Sequence, residues 1–127
     1  MGFNPFTSTA ALGLQAATPV AGFALQNGTP SILTWTTPND GKQHRFLVLA
    51  SLDVTSAETG GQVTVTYNTP DGGAGSHTLF SANTAGGVFT PVASFMIICE
   101  ANTTVTIAQA TALTVGAATV WAEIWGS

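Results

Sequence analysis

A chain of 127 residues is the size of one domain and is long enough to bury a core. Its hydrophobic content of 45% rules out a disordered tail, while its charged content of 6% stands far below the roughly 25% of ordinary soluble domains. With Lys42 and Arg45 as the only strong cations and a net charge of −4, the chain lacks the basic patch that nucleic acid or an anionic membrane surface requires, so neither is expected as a partner.

Residues 1–30 carry no charged side chain and are rich in Ala, Gly, Thr and Pro, with isolated Phe3, Phe6, Leu12, Leu14 and Phe23. They read as an extended N-terminal arm, within which "ALGLQAA" is too short to hold a helix alone. The opening residues lack the basic n-region of a signal peptide, and Phe6 stands where a myristoylation pattern needs Ser or Thr. No apolar run approaches the ~18 residues of a helical membrane span. These features predict a protein made without standard secretion. Asn27-Gly28 between apolar stretches is a hairpin signal, so the end of the arm is expected to pair with the first strand of the main domain.

Residues 31–127 read as one domain of strands and turns. "SILTWTT" alternates and is stopped by "PNDG"; "HRFLVLASLDV" follows, with Phe46, Val48 and Ala50 on one face. "GQVTVTYNT" has the cleanest period of two, Val63, Val65 and Tyr67 against Thr64, Thr66 and Asn68. After "PDGGAGS", read as a flexible turn, come the short strand "HTLFSA", the apolar run "PVASFMIICEA", the alternating "NTTVTIAQA" and the closing "TALTVGAATVWAEIWGS". Abundant Thr, Val and Ile, Gly-rich turns and the near absence of helix signals predict an all-β fold, an antiparallel β-sandwich or jelly roll. No fixed-period repeat argues for a propeller or solenoid.

Candidate chemistry is sparse. Cys99 is the single cysteine, so no intrachain disulfide forms; in "FMIICE" it reads as a buried thiol. His44 and His77 each stand at a strand start without a local ligand partner and read as surface or strand-edge residues. Six carboxylates are scattered over different strands and turns, and Asp40 and Asp71 fit turn chemistry better than a calcium loop. "GGAGSH" lacks the lysine and following helix of a phosphate-binding loop and reads as a mobile tip. No nucleophile–base pair is visible, so the protein is expected not to be an enzyme and to need no cofactor or metal. Trp35, Tyr67, Trp121 and Trp125 are of a type that stacks on sugars, which keeps a carbohydrate-binding module open as a second reading.

Surfaces are more informative. In the closing "VWAEIWGS", Val120, Ala122 and Ile124 alternate with Trp121, Glu123 and Trp125, so one of two apolar faces is left after the core is filled. "SFMIICE" has the same two-faced character, with Phe95, Ile97 and Cys99 opposite Ser94, Met96 and Ile98. A sheet with two apolar faces is covered on both sides. The second cover is expected to be a neighbouring subunit, with Trp121, Trp125, Ile97 and Phe95 as interface residues; the alternative is the arm folding back over the tryptophans.

The stretches "ILTWTTPNDGKQHRFLVLASLDV", "GQVTVTYNTPDG", "FMIICEANTTVTIAQA" and "ATVWAEIWGS" together resemble the small jelly-roll domains of phage virion proteins, namely trimeric capsid decoration (cement) proteins and tumour-necrosis-factor-like heads of tail fibres. The resemblance covers residues 31–127 and is a pattern of strands and turns. It implies a homotrimer with the last strand near the threefold axis. The absence of a fibrous stalk before the domain and the short apolar arm favour the decoration type. On that reading the protein lies on the outer surface of the virion after assembly in the host cytoplasm. It grips the major capsid protein through Phe3, Phe6, Leu12, Leu14 and Phe23. The tail-fibre alternative implies a host-surface glycan or receptor as partner.

Overall fold

The computed structural model describes residues 14–18, 21–81 and 92–127. Among the described residues seven strands occur in chain order: β1 (Gln15–Ala16), β2 (Ala21–Ala24), β3 (Ser31–Thr36), β4 (His44–Asn68), β5 (Ala74–Ser81), β6 (Val92–Cys99) and β7 (Thr104–Gly126). Among the described residues there is no helix. The all-β antiparallel sandwich expected from the alternation is therefore the fold.

Two long strands organise it. β4 has 25 residues and β7 has 23, and they pair antiparallel along most of their length, from Phe46↔Gly126 to Thr66↔Thr106. Register shifts between Val54 and Val63 break this ladder, and Gly61 there takes a positive φ of 80°. Bulges bend and twist a strand pair, so each long strand passes from one layer of the sandwich to the other. The front layer holds β6, the first half of β4, the second half of β7, and β2 with β1. The back layer holds β5, the second half of β4, the first half of β7, and β3.

The core lies between the layers. Phe46, Val48, Leu52 and Val54 of β4 and Val120 and Ile124 of β7 come from the front, and Val63, Val65, Val105 and Ile107 from the back; all are fully buried. These are the positions the period of two assigns to one face. The segments 44–54 and 61–69, expected as separate strands, fall on the single strand β4, and 102–110 and 111–127 fall on the single strand β7. A bulge interrupts the ladder only locally and the pairing of β4 with β7 resumes beyond it, so the glycines mark a corner rather than a chain reversal.

The expected boundary at residue 30 also moves. β1 and β2 are strands of the front layer, paired with β7 through Gln15↔Gly126, Ala16↔Trp125 and Ala21↔Ala122 to Ala24↔Thr119. β3 pairs further along the same edge of β7, from Ser31↔Ala108 to Thr36↔Thr104. Asn27-Gly28 is thus a bend between two strands that share one neighbour, not a hairpin between strands that pair with each other. The reason is length: β7 offers an edge long enough for both. Where the edge is interrupted, the buried Gln109 side chain stands in for a peptide unit. Its Nε2 donates to the Gln26 carbonyl at 2.7 Å and its Oε1 accepts from the Gln26 N–H at 3.1 Å.

Candidate functional site: the outer face of the front layer

Burial settles which face of the closing strand is inside. Val120, Ala122 and Ile124 are buried, while Trp121 is 49% exposed and Glu123 and Trp125 are half-buried on the outer side. The register extends this outer face across β4 to β6: Trp121 lies opposite Ser51 and Ser51 opposite Val92, Trp125 opposite Leu47 and Leu47 opposite Met96, and Arg45 opposite Ile98. Val92, Met96 and Ile98 are 81%, 47% and 52% exposed. All four exposed large hydrophobic side chains among the described residues therefore stand on one face of one layer.

Leu49, Ser51, Val92, Ser94, Trp121 and Glu123 line an open groove of about 400 Å3 on that face. β4 forms its floor, β6 one wall and Trp121 with Glu123 the other. Trp121 leans sideways over Gly22 of β2, its register partner, where a Cβ would come within 2.5 Å of the indole. Glycine at position 22 thus sets the ring's pose. The Trp125 indole N–H is buried without an acceptor among the described residues, an arrangement that costs about 1–3 kcal/mol in a folded chain.

The expected interface residues divide between two faces. Trp121 and Trp125 are on the outer face, as is the groove. Ile97 is buried and Phe95 half-buried, both on the core side, because Phe46↔Ile97 and Val48↔Phe95 place them beside the buried residues of β4. Met96 and Ile98 hold the outer positions that Phe95 and Ile97 were expected to hold. Alternation identified both faces of β6, but only the register with β4 tells which is inner. Of the arm residues, Leu14 is buried and Phe23 is half-buried in β2 opposite Val120, so these two belong to the sandwich and not to a free arm. Phe3, Phe6 and Leu12 lie outside the described residues.

The four aromatic residues weighed as a sugar platform do not converge. Trp35 packs over Gly126 and against the core, and Tyr67 lies over Gly75 on the inner side. There Tyr67 joins an edge-on contact with Phe46 and a stack of Tyr67, His77 and Phe95 with ring centroids 6.0 and 5.4 Å apart. The Tyr67 hydroxyl and His77 Nε2 are 3.1 Å apart. This stack closes the mouth of the sandwich between edge strands β5 and β6.

The remaining polar residues serve turns and strand ends. Asp71 caps the 69–73 turn, where hydrogen bonds from the Thr69 hydroxyl and the Gly73 N–H hold its carboxyl below the usual carboxylate range. Ala74–His77, expected as part of a mobile tip, are the start of β5. His44, expected at the surface, is buried at the start of β4 between Asp40 and Ser127. Cys99 is fully buried, and desolvation, with Glu100 adding to it, pushes its thiol up to about 11. Among the described residues no group of three or more metal-ligating side chains occurs.

No protein-family model matches the chain, and no curated protein matches it. Among solved structures the chain is similar to one described as the structure of infectious bursal disease virus, Gx strain, at 12% identity and a TM-score of 0.45. That alignment covers 89% of this chain and 32% of the other, so the chain spans about a third of the length of its structural neighbour. The functional reading below rests on the chain's own surfaces and not on this likeness.

Proposed function

We propose that the protein is a structural component of a virion, a capsid decoration protein that works as a homotrimer and binds the major capsid protein on the outer surface of the head. The observation that carries this reading is the outer face of the front layer. Monomeric soluble proteins seldom gather their exposed apolar side chains on one face, and such a patch is the usual mark of an interaction surface. The scarcity of charge supports it, because charge is what keeps monomers apart in solution. Both features suit a subunit built into an assembly.

Native mass measured across a dilution series is the test. A species of three times the 12.9 kDa chain that falls to one on Trp121→Glu substitution is the expected result. A wild-type monomer at every concentration overturns the homotrimer. Removal of residues 1–12, which leaves β1 and β2 intact, is expected to weaken binding to the shell without unfolding the sandwich. Undiminished shell binding by that truncated chain overturns the role given to Phe3, Phe6 and Leu12. Strong signals on a glycan array together with no shell binding would replace decoration by the receptor-binding alternative.

A further inference from the structure

The start of β4, the turn before it and the end of β7 meet at one buried histidine. His44 is 7% exposed. Its Nδ1 lies 2.6 Å from the main-chain oxygen of Ser127, and its Nε2 lies 2.8 Å from Asp40 Oδ1. Neither oxygen has a proton to give. The same Asp40 oxygen accepts the Lys42 N–H at 3.0 Å, which orients its lone pairs in the turn. A neutral imidazole has one N–H and one lone pair, so it satisfies one of these oxygens and turns a lone pair on the other. Only the doubly protonated ring donates to both.

We infer that His44 is a proton-operated latch, closed as an imidazolium between Asp40 and Ser127 and opened on one side when the ring loses its proton. Opening frees either the 39–42 turn or the end of β7. The end of β7 is also held by the Ser127 N–H on the Arg45 carbonyl at 3.1 Å and by the Arg45 N–H on the Ser127 hydroxyl at 3.1 Å. These bonds register the strand that carries Trp125 and Trp121, so the latch ties the placement of the outer face to pH.

The surroundings agree. Asp40, held below its ordinary range mainly by its hydrogen bond from His44, stays ionised through neutral pH. Opposite His44 on β6 stands Cys99, a neutral thiol at these pH values. The following Glu100 directs Oε1 to the Asn68 amide at 2.9 Å. On β7, Glu123 faces outward and lines the groove. The cations nearest in sequence are Lys42 and Arg45, both exposed. Asp40 is the one carboxylate bonded to the ring among the described side chains.

The test is 15N NMR of the imidazole together with amide exchange, corrected for intrinsic rates, on the full chain. At pH 5.5 both ring nitrogens of His44 should be protonated and the Ser127 and Lys42 amides protected. At pH 8.5 one nitrogen should be bare and protection at one of the two amides should fall about tenfold, a typical effect of losing a charged hydrogen bond. The Ile124 amide, which bonds the Thr18 hydroxyl, should not change. Asp40→Asn is the discriminating variant. Its amide nitrogen, turned to the bare Nε2 of a neutral ring, donates there and leaves the ring's Nδ1–H on the Ser127 oxygen, so protection of the Ser127 amide in this variant should stay level from pH 5.5 to 8.5; the Lys42 N–H, which shares Asp40 Oδ1 with the ring, is read in the wild type only. A wild-type ring with a single N–H at both pH values, or a tenfold fall at the Ser127 amide of D40N, overturns the latch. Neither outcome depends on oligomeric state or on shell binding.

Discussion

The two layers of the sandwich present opposite outer surfaces built from the same alternation. The outer face of the back layer is a lattice of hydroxyls. Thr34, Thr106, Thr66 and Ser76 form one cross-strand row, and Thr64 and Thr78 stand in the next. Thr36 and Thr104 join through their hydroxyl oxygens at 3.1 Å. The front layer puts Val92, Met96, Ile98 and Trp121 at the corresponding outward positions. The front face carries Arg45 and Glu123 and the back-layer rows named above carry no charge, so charge does not single out the apolar face. Hydroxyls spaced along a strand hydrate a surface without any charge; on the front layer Ser51 and Ser94 stand among the exposed Val92, Met96, Ile98 and Trp121, and those apolar side chains are what distinguish that face.

Phe46→Ala is the largest blow, because both layers rest on one core. A fully buried phenylalanine cut to alanine costs about 3–5 kcal/mol. Urea unfolding followed by tryptophan fluorescence and by far-UV dichroism should give one coincident transition, shifted down. Two separate transitions would mean that the layers are independent and the comparison is one between two units.

Trp121→Glu against Thr66→Glu contrasts the faces directly. The first should weaken self-association about thirtyfold or more, as expected for an interface tryptophan, and the second should leave it unchanged. Sedimentation at several concentrations reads both. Equal effects from the two variants would show that added negative charge, and not the place where it is added, disperses the assembly. Gln109→Leu probes the shared edge where β7 passes between layers. It leaves the Gln26 N–H without its acceptor, while the Gln26 carbonyl keeps the Leu113 N–H at 3.0 Å, and should cost about 1–3 kcal/mol in the same urea assay.

Much of this comparison was legible in the residues. Val63, Val65, Val105, Ile107, Val120 and Ile124 show their burial in a period of two, and the two-faced character of 92–99 and 120–126 is equally plain. What alternation cannot tell is which of two apolar faces is the inner one. On β6 that depends on pairing with β4 across some fifty positions of sequence: alternation allows Phe95 and Ile97 as outward residues, and the structure exposes Met96 and Ile98 instead. The same long-range pairing decides the fate of Asn27-Gly28. A local signal for a turn is real there, but the edge of β7 takes both flanking strands. Gln15–Ala16 and Ala21–Ala24 look like parts of an arm because they lack a strong alternating pattern. They are strands because β7 leaves backbone groups that need partners. His44 was misplaced for a related reason: its partners, four and eighty-three residues away, include a main-chain oxygen that no motif announces.

The smallest expected effect concerns Cys99, which separates the inner face of β6 from the outer. Its thiol is fully buried and pushed up to about 11, first by desolvation and then by Glu100, so the neutral form is favoured in the folded chain. Reaction requires the thiolate and access. Native protein at pH 8.5 should therefore resist iodoacetamide, whereas protein unfolded in urea at the same pH should be labelled fully. The sign for stability follows from linkage. The folded thiol holds its proton more tightly than the unfolded one, whose ordinary value is 9.0. The stability this contributes is complete below about pH 9 and is lost as pH rises through about 11. Cys99→Ser should remove the alkaline part of that loss, and the outer-face contacts measured with Trp121→Glu should remain as they were. Rapid labelling of the native chain at pH 8.5 would instead mean that β6 opens readily, and that its exposed Val92, Met96 and Ile98 belong to a fraying edge and not to a firm contact surface.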